Sequence, residues 1–178
     1  EEEAGMITPG SIMQYHGHSI ERSRKHIFLR PHALLRPYIS NYMITCPDTM
    51  AGEQVILPTA SSTLVFSVNP GGITGGLRGV NTEAVRIGQY ASRFSLLLLI
   101  EFYPGGLYPF TRIPQKELAD HSFAFAEIDS NLDSRIREAL EICSEIEALT
   151  GQLDKLFLHR LQGQELNPAY QEDFWRIK

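Results

Sequence analysis

Three groups of side chains in this 178-residue chain are of types that could do chemistry: the histidines, the two cysteines and Glu101. His16-Gly17-His18, separated from Gly10 by five residues, spaces two imidazoles as one half of a metal site would. A metal centre needs further converging ligands on rigid elements. Glu21 follows too early to complete that pattern and no second segment supplies a third histidine, so solvated histidines are the expectation. His26 and His32 stand beside basic residues, and His121 and His159 fall in a turn and on a helix. No GxSxG or QACxG motif accompanies them. No catalytic residue, no metal and no cofactor is therefore expected. Cys46 and Cys143 are far apart and outside any CxxC spacing, which fits two free thiols in a reducing cytoplasm.

Glu101 ends the apolar run Leu96 to Ile100, where a carboxylate is costly to bury unless it is paired or hydrogen-bonded. Arg86 or Arg93 is its expected partner, in a structural ion pair or at a ligand-contacting site. The glycines at 71, 72, 75, 76 and 79 form neither GxxxxGK[ST] nor GxGxxG and precede no helix pattern, so they read as hairpin and bulge glycines.

The elements that must position these groups change character at Phe94 to Phe110, FSLLLLIEFYPGGLYPF. Apolar residues at every position from Leu96 to Ile100 predict a central strand covered on both sides. Pro104 removes a backbone donor and Gly105 and Gly106 allow positive φ, so the strand stops at Tyr103 and turns. Before it, the basic-leaning stretch Ser11 to Arg30 predicts one or two edge strands. Further strands are predicted near Tyr38–Ile44, Gln54–Leu57, Thr63–Val68 and Glu83–Tyr90. Their spacing of roughly ten residues argues for a sandwich or barrel.

After the break, Pro114 starts a short helix that ends at Asp120-His121-Ser122. Asp129, Ser130 or Asn131 then caps a longer one with the stripe Leu132, Ile136, Ala139, Leu140, Cys143, Ile146 and Leu149. Thr150-Gly151 is expected to break it, with Thr150 capping a second helix striped by Leu153, Leu156, Phe157 and Leu161. Two such helices read as an αα-hairpin that must pack on something. Leu158 falls off the stripe and hints at a partner. From Gln162 the stripe is lost, although Phe174 to Ile177 could begin another helix.

A hydrophobic content of 43% and a charged content of 21% suit an ordinary globular chain. The net charge of −5 opposes non-specific attraction to nucleic-acid phosphates. No run approaches the ~20 apolar residues that span a bilayer, and EEEAGMITPG has no basic or apolar signal region.

The order LRPYISNY (35–42), VILP (55–58), TLVFSV (63–68), Gly88, IEFYPGGLYPF (100–110) and IPQKELAD (113–120), followed by two helices, resembles the N-terminal regulatory domain of AraC-family transcriptional regulators. The likeness covers roughly residues 31–162. Thr59-Ala60 departs from it, since such domains often carry an acidic residue and a glycine after the proline.

The resemblance implies a mainly β fold with C-terminal helices: a cupin-like β-barrel over 11–113 and a helical dimerisation segment over 114–162. It further implies a linker over 163–178 toward a C-terminal helix-turn-helix DNA-binding domain absent from this chain. Residues 1–10 would be a disordered N-terminus or an expression remnant. The chain would be the sensor and dimerisation domain of a bacterial regulator in the cytoplasm, a homodimer taking an unknown small-molecule effector, reaching DNA only through the missing domain. Aromatic walls with a few polar groups select Tyr42, Phe66, Arg86, Glu101, Phe102 and Tyr108 as ligand-binding candidates. Leu140, Leu153, Phe157, Leu158 and Leu161 are the dimer-interface candidates. The alternatives are a small cupin-type metal-binding protein or enzyme using His16 and His18, and an assembly domain without ligand.

Overall fold

A computed structural model describes residues 6–47, 54–56, 58–87 and 94–163. Its strands are β1 (Glu21–Arg22), β2 (His26–Leu29), β3 (Ile39–Thr45), β4 (Gln54–Ile56), β5 (Thr63–Asn69), β6 (Gly72–Arg78), β7 (Val85–Ile87), β8 (Leu96–Phe102) and β9 (Ser122–Ala124). Seven of them form one antiparallel sheet in the order β1-β2-β3-β8-β5-β6-β9, and β4 and β7 pair separately. The run at Leu96 is thus the middle strand, as its composition predicts. The fold is mainly β with C-terminal helices, consistent with a cupin-like arrangement. The seven-stranded sheet is open, however, not a closed barrel: β1 and β9 are its two edges and do not meet.

The helices are α1 (Pro9–Gln14), α2 (Tyr108–Thr111), α3 (Gln115–Leu118), α4 (Phe125–Ile128), α5 (Ser130–Ile142) and α6 (Ile146–Gln162). A 3₁₀ turn, Ala33–Leu35, precedes β3. One face of the sheet is sealed by the helices. Ile44, Leu64, Phe66, Leu98, Ile100 and Phe102 point into it and are essentially inaccessible, as are Ile136 and Leu140 of α5 and Leu149, Leu153 and Phe157 of α6. Phe102, Phe110 and Phe157, from β8, α2 and α6, meet with ring centroids 5.2–6.1 Å apart. Each such side chain stabilises the fold by roughly 1.5–3 kcal/mol through burial. The helical hairpin therefore docks on its own sheet.

Four sequence expectations change. The stretch 1–10 contains the start of α1: Thr8 and Ser11 form a reciprocal capping box, with Pro9 in the first turn. The hydroxyl of Ser11 donates to the carbonyl of Ser144, tying this helix to the α5–α6 turn. The expected long helix and its break are displaced. Helix α5 ends at Cys143, and α6 runs through Thr150-Gly151. The Thr150 hydroxyl bonds back to the carbonyls of Ile146 and Glu147 instead of capping, and burial of Ile146, Leu149 and Leu153 along one stripe outweighs the ~1 kcal/mol cost of a helical glycine. Residues 122–124, within the stretch assigned to helices, pair with β6 and add the last strand. That pairing satisfies backbone groups that no side-chain pattern announces. Finally, Leu140, Leu153 and Phe157 are buried within their own chain, so among the interface candidates only Leu158 and Leu161 keep partial exposure.

Asp129 caps α5 by accepting from the Leu132 amide at 3.0 Å, and the same carboxylate pairs with Arg160 of α6. The turn after β8 uses its glycines as expected. Gly105 has φ +74°, and a Cβ on Gly106 would lie 2.1 Å from the Tyr38 carbonyl. Among the described residues, no helix is long and apolar enough to cross a membrane. The expected linker over 163–178, Gly88 and the segment Phe174 to Ile177 lie outside the described residues, apart from Gly163, which caps α6.

Candidate functional site

The second face of the sheet is built differently from the first. In β8 the residues between the buried ones, Leu97, Leu99 and Glu101, are half-buried, and the same holds for Thr63, Val65 and Ser67 of β5. Residues directly opposite one another in a ladder share a face, so the register arranges this face in rows. Phe28, Met43, Leu99 and Val65 make one apolar row across β2, β3, β8 and β5. Asn41, Glu101, Thr63 and Arg78 make an adjacent polar row across β3, β8, β5 and β6. With adjacent strands about 4.8 Å apart, the carboxylate of Glu101 and the guanidinium of Arg78 arise from strands roughly 10 Å apart, with Thr63 between them.

A bulge in β3 creates the Asn41 end of this row. The register slips between Ile39, opposite Phe102, and Asn41, opposite Glu101, so Ser40 is the extra residue. That is why Ile39 and Tyr42 both point into the covered face although two residues separate them. Ser40 bonds through its hydroxyl to the Glu101 carbonyl at 3.1 Å. The Asn41 amide nitrogen donates to the Glu101 carboxylate at 2.8 Å and to the Ser40 hydroxyl at 3.0 Å. The carboxylate decides which way the amide faces, because a flipped Asn41 would set oxygen against oxygen. Its Oδ1 is consequently buried with no hydrogen-bond partner. Glu101 is hydrogen-bonded as a carboxylate there must be, but through Asn41. The side chains of Arg86 and Arg93, the expected partners, lie outside the described residues.

Arg78, at the other end of the row, is half-buried, and burial lowers its pKa from the ordinary arginine value. Among the described residues it forms no ion pair. A guanidinium withdrawn from water without a counter-charge favours an incoming anion or acceptor.

The sequence candidates scatter. Glu101 lies on the half-exposed face. Tyr42, Phe66 and Phe102 point into the helix-covered core and are 0–1% exposed, because their strand positions are of the opposite parity. Tyr108 is exposed at the start of α2. Tyr42 ties the sheet to a helix: its hydroxyl donates to Asp154 of α6 at 2.9 Å, and the same carboxylate oxygen accepts the His32 amide at 3.0 Å. Burial, reinforced by the Asp154 charge, holds the Tyr42 pKa well above the usual tyrosine value. His16 and His18 are exposed, and no three metal-ligating side chains converge among the described residues. Sequence reasoning missed Asn41, Thr63 and Arg78. Thr63 and Arg78 follow from the β5–β6 register, whereas the Asn41 position depends on a bulge with no sequence signature.

The model of a family described as a domain of unknown function (DUF6597) matches residues 27–124, the span from β2 to β9. No curated protein and no solved structure matches the chain.

Proposed function

We propose that this chain, which belongs to the DUF6597 family of domains of unknown function, is a non-catalytic sensor and dimerisation domain of a bacterial transcription regulator of the AraC type. A small polar effector is taken up on the half-exposed sheet face. DNA is read by a helix-turn-helix domain outside this chain. The observation that carries the reading is the polar row Asn41–Glu101–Thr63–Arg78 beside the apolar row Phe28–Met43–Leu99–Val65. An apolar floor with a few oriented polar groups is what a small-molecule site requires.

The AraC-like order of sequence segments supplies the regulatory part of the proposal. A route from effector to helices is also at hand. Asn41 holds Glu101 on the ligand face, while its neighbour Tyr42 holds Asp154 of α6 on the other. An effector that preferred one setting of this strand end would bias the position of α6, and with it the dimer, by population shift.

Thermal melting of the chain against a panel of small polar metabolites tests the site. A compound that raises the melting temperature, and no longer does so in Glu101→Gln, supports the proposal; a panel without any hit counts against it. Sedimentation should give a dimer that Leu158→Asp weakens, and a strict monomer at high concentration defeats the dimerisation part.

A further inference from the structure

Beyond the bulge, the polar row runs into a pocket of about 260 Å³ lined by Ile20, Arg30, Arg36, Ser40, Asn41 and Tyr103, among others. We infer that this pocket binds a small carboxylate with an apolar body, gripped by Arg30 and Arg36. Three observations converge on that chemistry.

First, among the described residues the lining holds two guanidiniums and no acid. Arg36 spends its Nε on the Pro31 carbonyl at 3.1 Å, which anchors the group and leaves its Nη edge available. Arg30 has no hydrogen bond or ion pair among the described residues. Two cations on one cavity, with no acidic partner among the described residues, favour the entry of an anion. A guanidinium fork matches a carboxylate in two parallel bonds.

Second, local charge runs against that of the chain. Residues 6–46 carry five arginines and lysines and a single acid, Glu21, within a protein of net charge −5. The segment that supplies most of the lining is therefore basic, and Glu101, hydrogen-bonded to the lining residue Asn41, is the acid beside it.

Third, Ile20 and Tyr103, 51% and 49% exposed, are two of the seven large apolar side chains left open to solvent among the described residues, and both line this pocket. They give the anion's carbon skeleton a surface to cover. A bare inorganic anion would leave them wet.

The inference rests on reading this sheet end as a ligand site, but the two can fail separately because Glu101 is absent from the pocket lining. The test is titration calorimetry of benzoate at low ionic strength, where charge attraction is least screened, with inorganic phosphate as the parallel arm. Benzoate should bind saturably at one site. Arg30→Ala and Arg36→Ala should each weaken it by about tenfold or more, Arg30→Lys should not restore it, Tyr103→Ala should weaken it, and Arg135→Ala, on the exposed side of α5, should leave it unchanged. Melting curves of the variants confirm folding, which the exposure of both arginines favours. No saturable binding to about 10 mM, phosphate binding as tightly as benzoate, or an equal loss of benzoate binding in Arg135→Ala would each overturn the assignment.

Discussion

Neighbouring residues of one strand live in two environments in this protein, and the contrast between the sheet's two faces organises both its stability and its proposed chemistry. Leu98 of β8 is fully buried beneath the helices, whereas Leu99 beside it lies in the half-exposed apolar row. On the covered face, aromatic and aliphatic side chains interlock and polar groups are few: Tyr42 is tied to Asp154, and Asp133 keeps one buried carboxylate oxygen without a hydrogen-bond partner. On the other face polar groups form an oriented row, one of them with a buried acceptor left unpaired. One face of the same strands holds the helices, and the other, half-exposed, is the face proposed to take a ligand.

The largest expected effect separates the faces directly. Leu98→Ala should cost about 2–5 kcal/mol in denaturant unfolding, as cavity-forming core substitutions do, while Leu99→Ala should cost less than half as much. Equal losses would mean that the second face is as closely packed as the first. Next comes Gly75 of β6, where an added Cβ would lie 2.2 Å from Asp133 Oδ1 and 2.7 Å from the Phe66 ring. Gly75→Ala should destabilise by about 1–3 kcal/mol through overpacking of α5 against the sheet. Asp133, 2% exposed, is paired with Arg137 at 2.6 Å. If its carboxylate is the obstacle, the penalty of Gly75→Ala should shrink in an Asp133→Ala background, as a double-mutant cycle would reveal.

Tyr42→Phe keeps the packing and removes one hydrogen bond to a carboxylate, at about 1–2 kcal/mol. It also has a pH signature. The folded pKa of Tyr42 lies above its unfolded value near 10. Between the two, the unfolded chain loses a proton that the folded one retains, so the stability is fully present below pH 10 and falls as pH rises through that window. Stability of the wild type measured from pH 8 to 11 should decline more steeply than that of Tyr42→Phe. The smallest effect belongs to the half-exposed face: Glu101→Gln, which preserves an acceptor for Asn41, should change unfolding free energy by no more than about 0.5 kcal/mol. A large loss there would show that Glu101 serves the fold, and would leave the polar row without a carboxylate to spare for a ligand.

Several features were legible before any coordinates. The apolar run at Leu96 to Ile100 reads as a central strand covered on both sides. Pro104-Gly105-Gly106 had to turn, and the Leu132, Ile136 and Leu140 spacing had to be a helix capped near Asp129, which is the residue that caps it. Such features depend on local period and local backbone freedom, and both are written into adjacent residues. The helix break was misread because Thr150-Gly151 looks like a terminus in isolation, yet the buried stripe through Ile146, Leu149 and Leu153 keeps the helix intact. The Thr8-Pro9-Gly10-Ser11 capping signal of α1 was present and overlooked.

The sequence by itself therefore determined the types of β3, β5, β8 and α5, the central place of β8 and the presence of a carboxylate that needed a partner. Only the tertiary structure decided which side chains share a face. Parity along a strand reverses its meaning at a bulge, so Ser40 sends Asn41 toward Glu101 and Tyr42 toward Asp154. Which strands lie side by side is settled by long-range pairing, and that pairing places Glu101, Thr63 and Arg78 in one row from three separate segments.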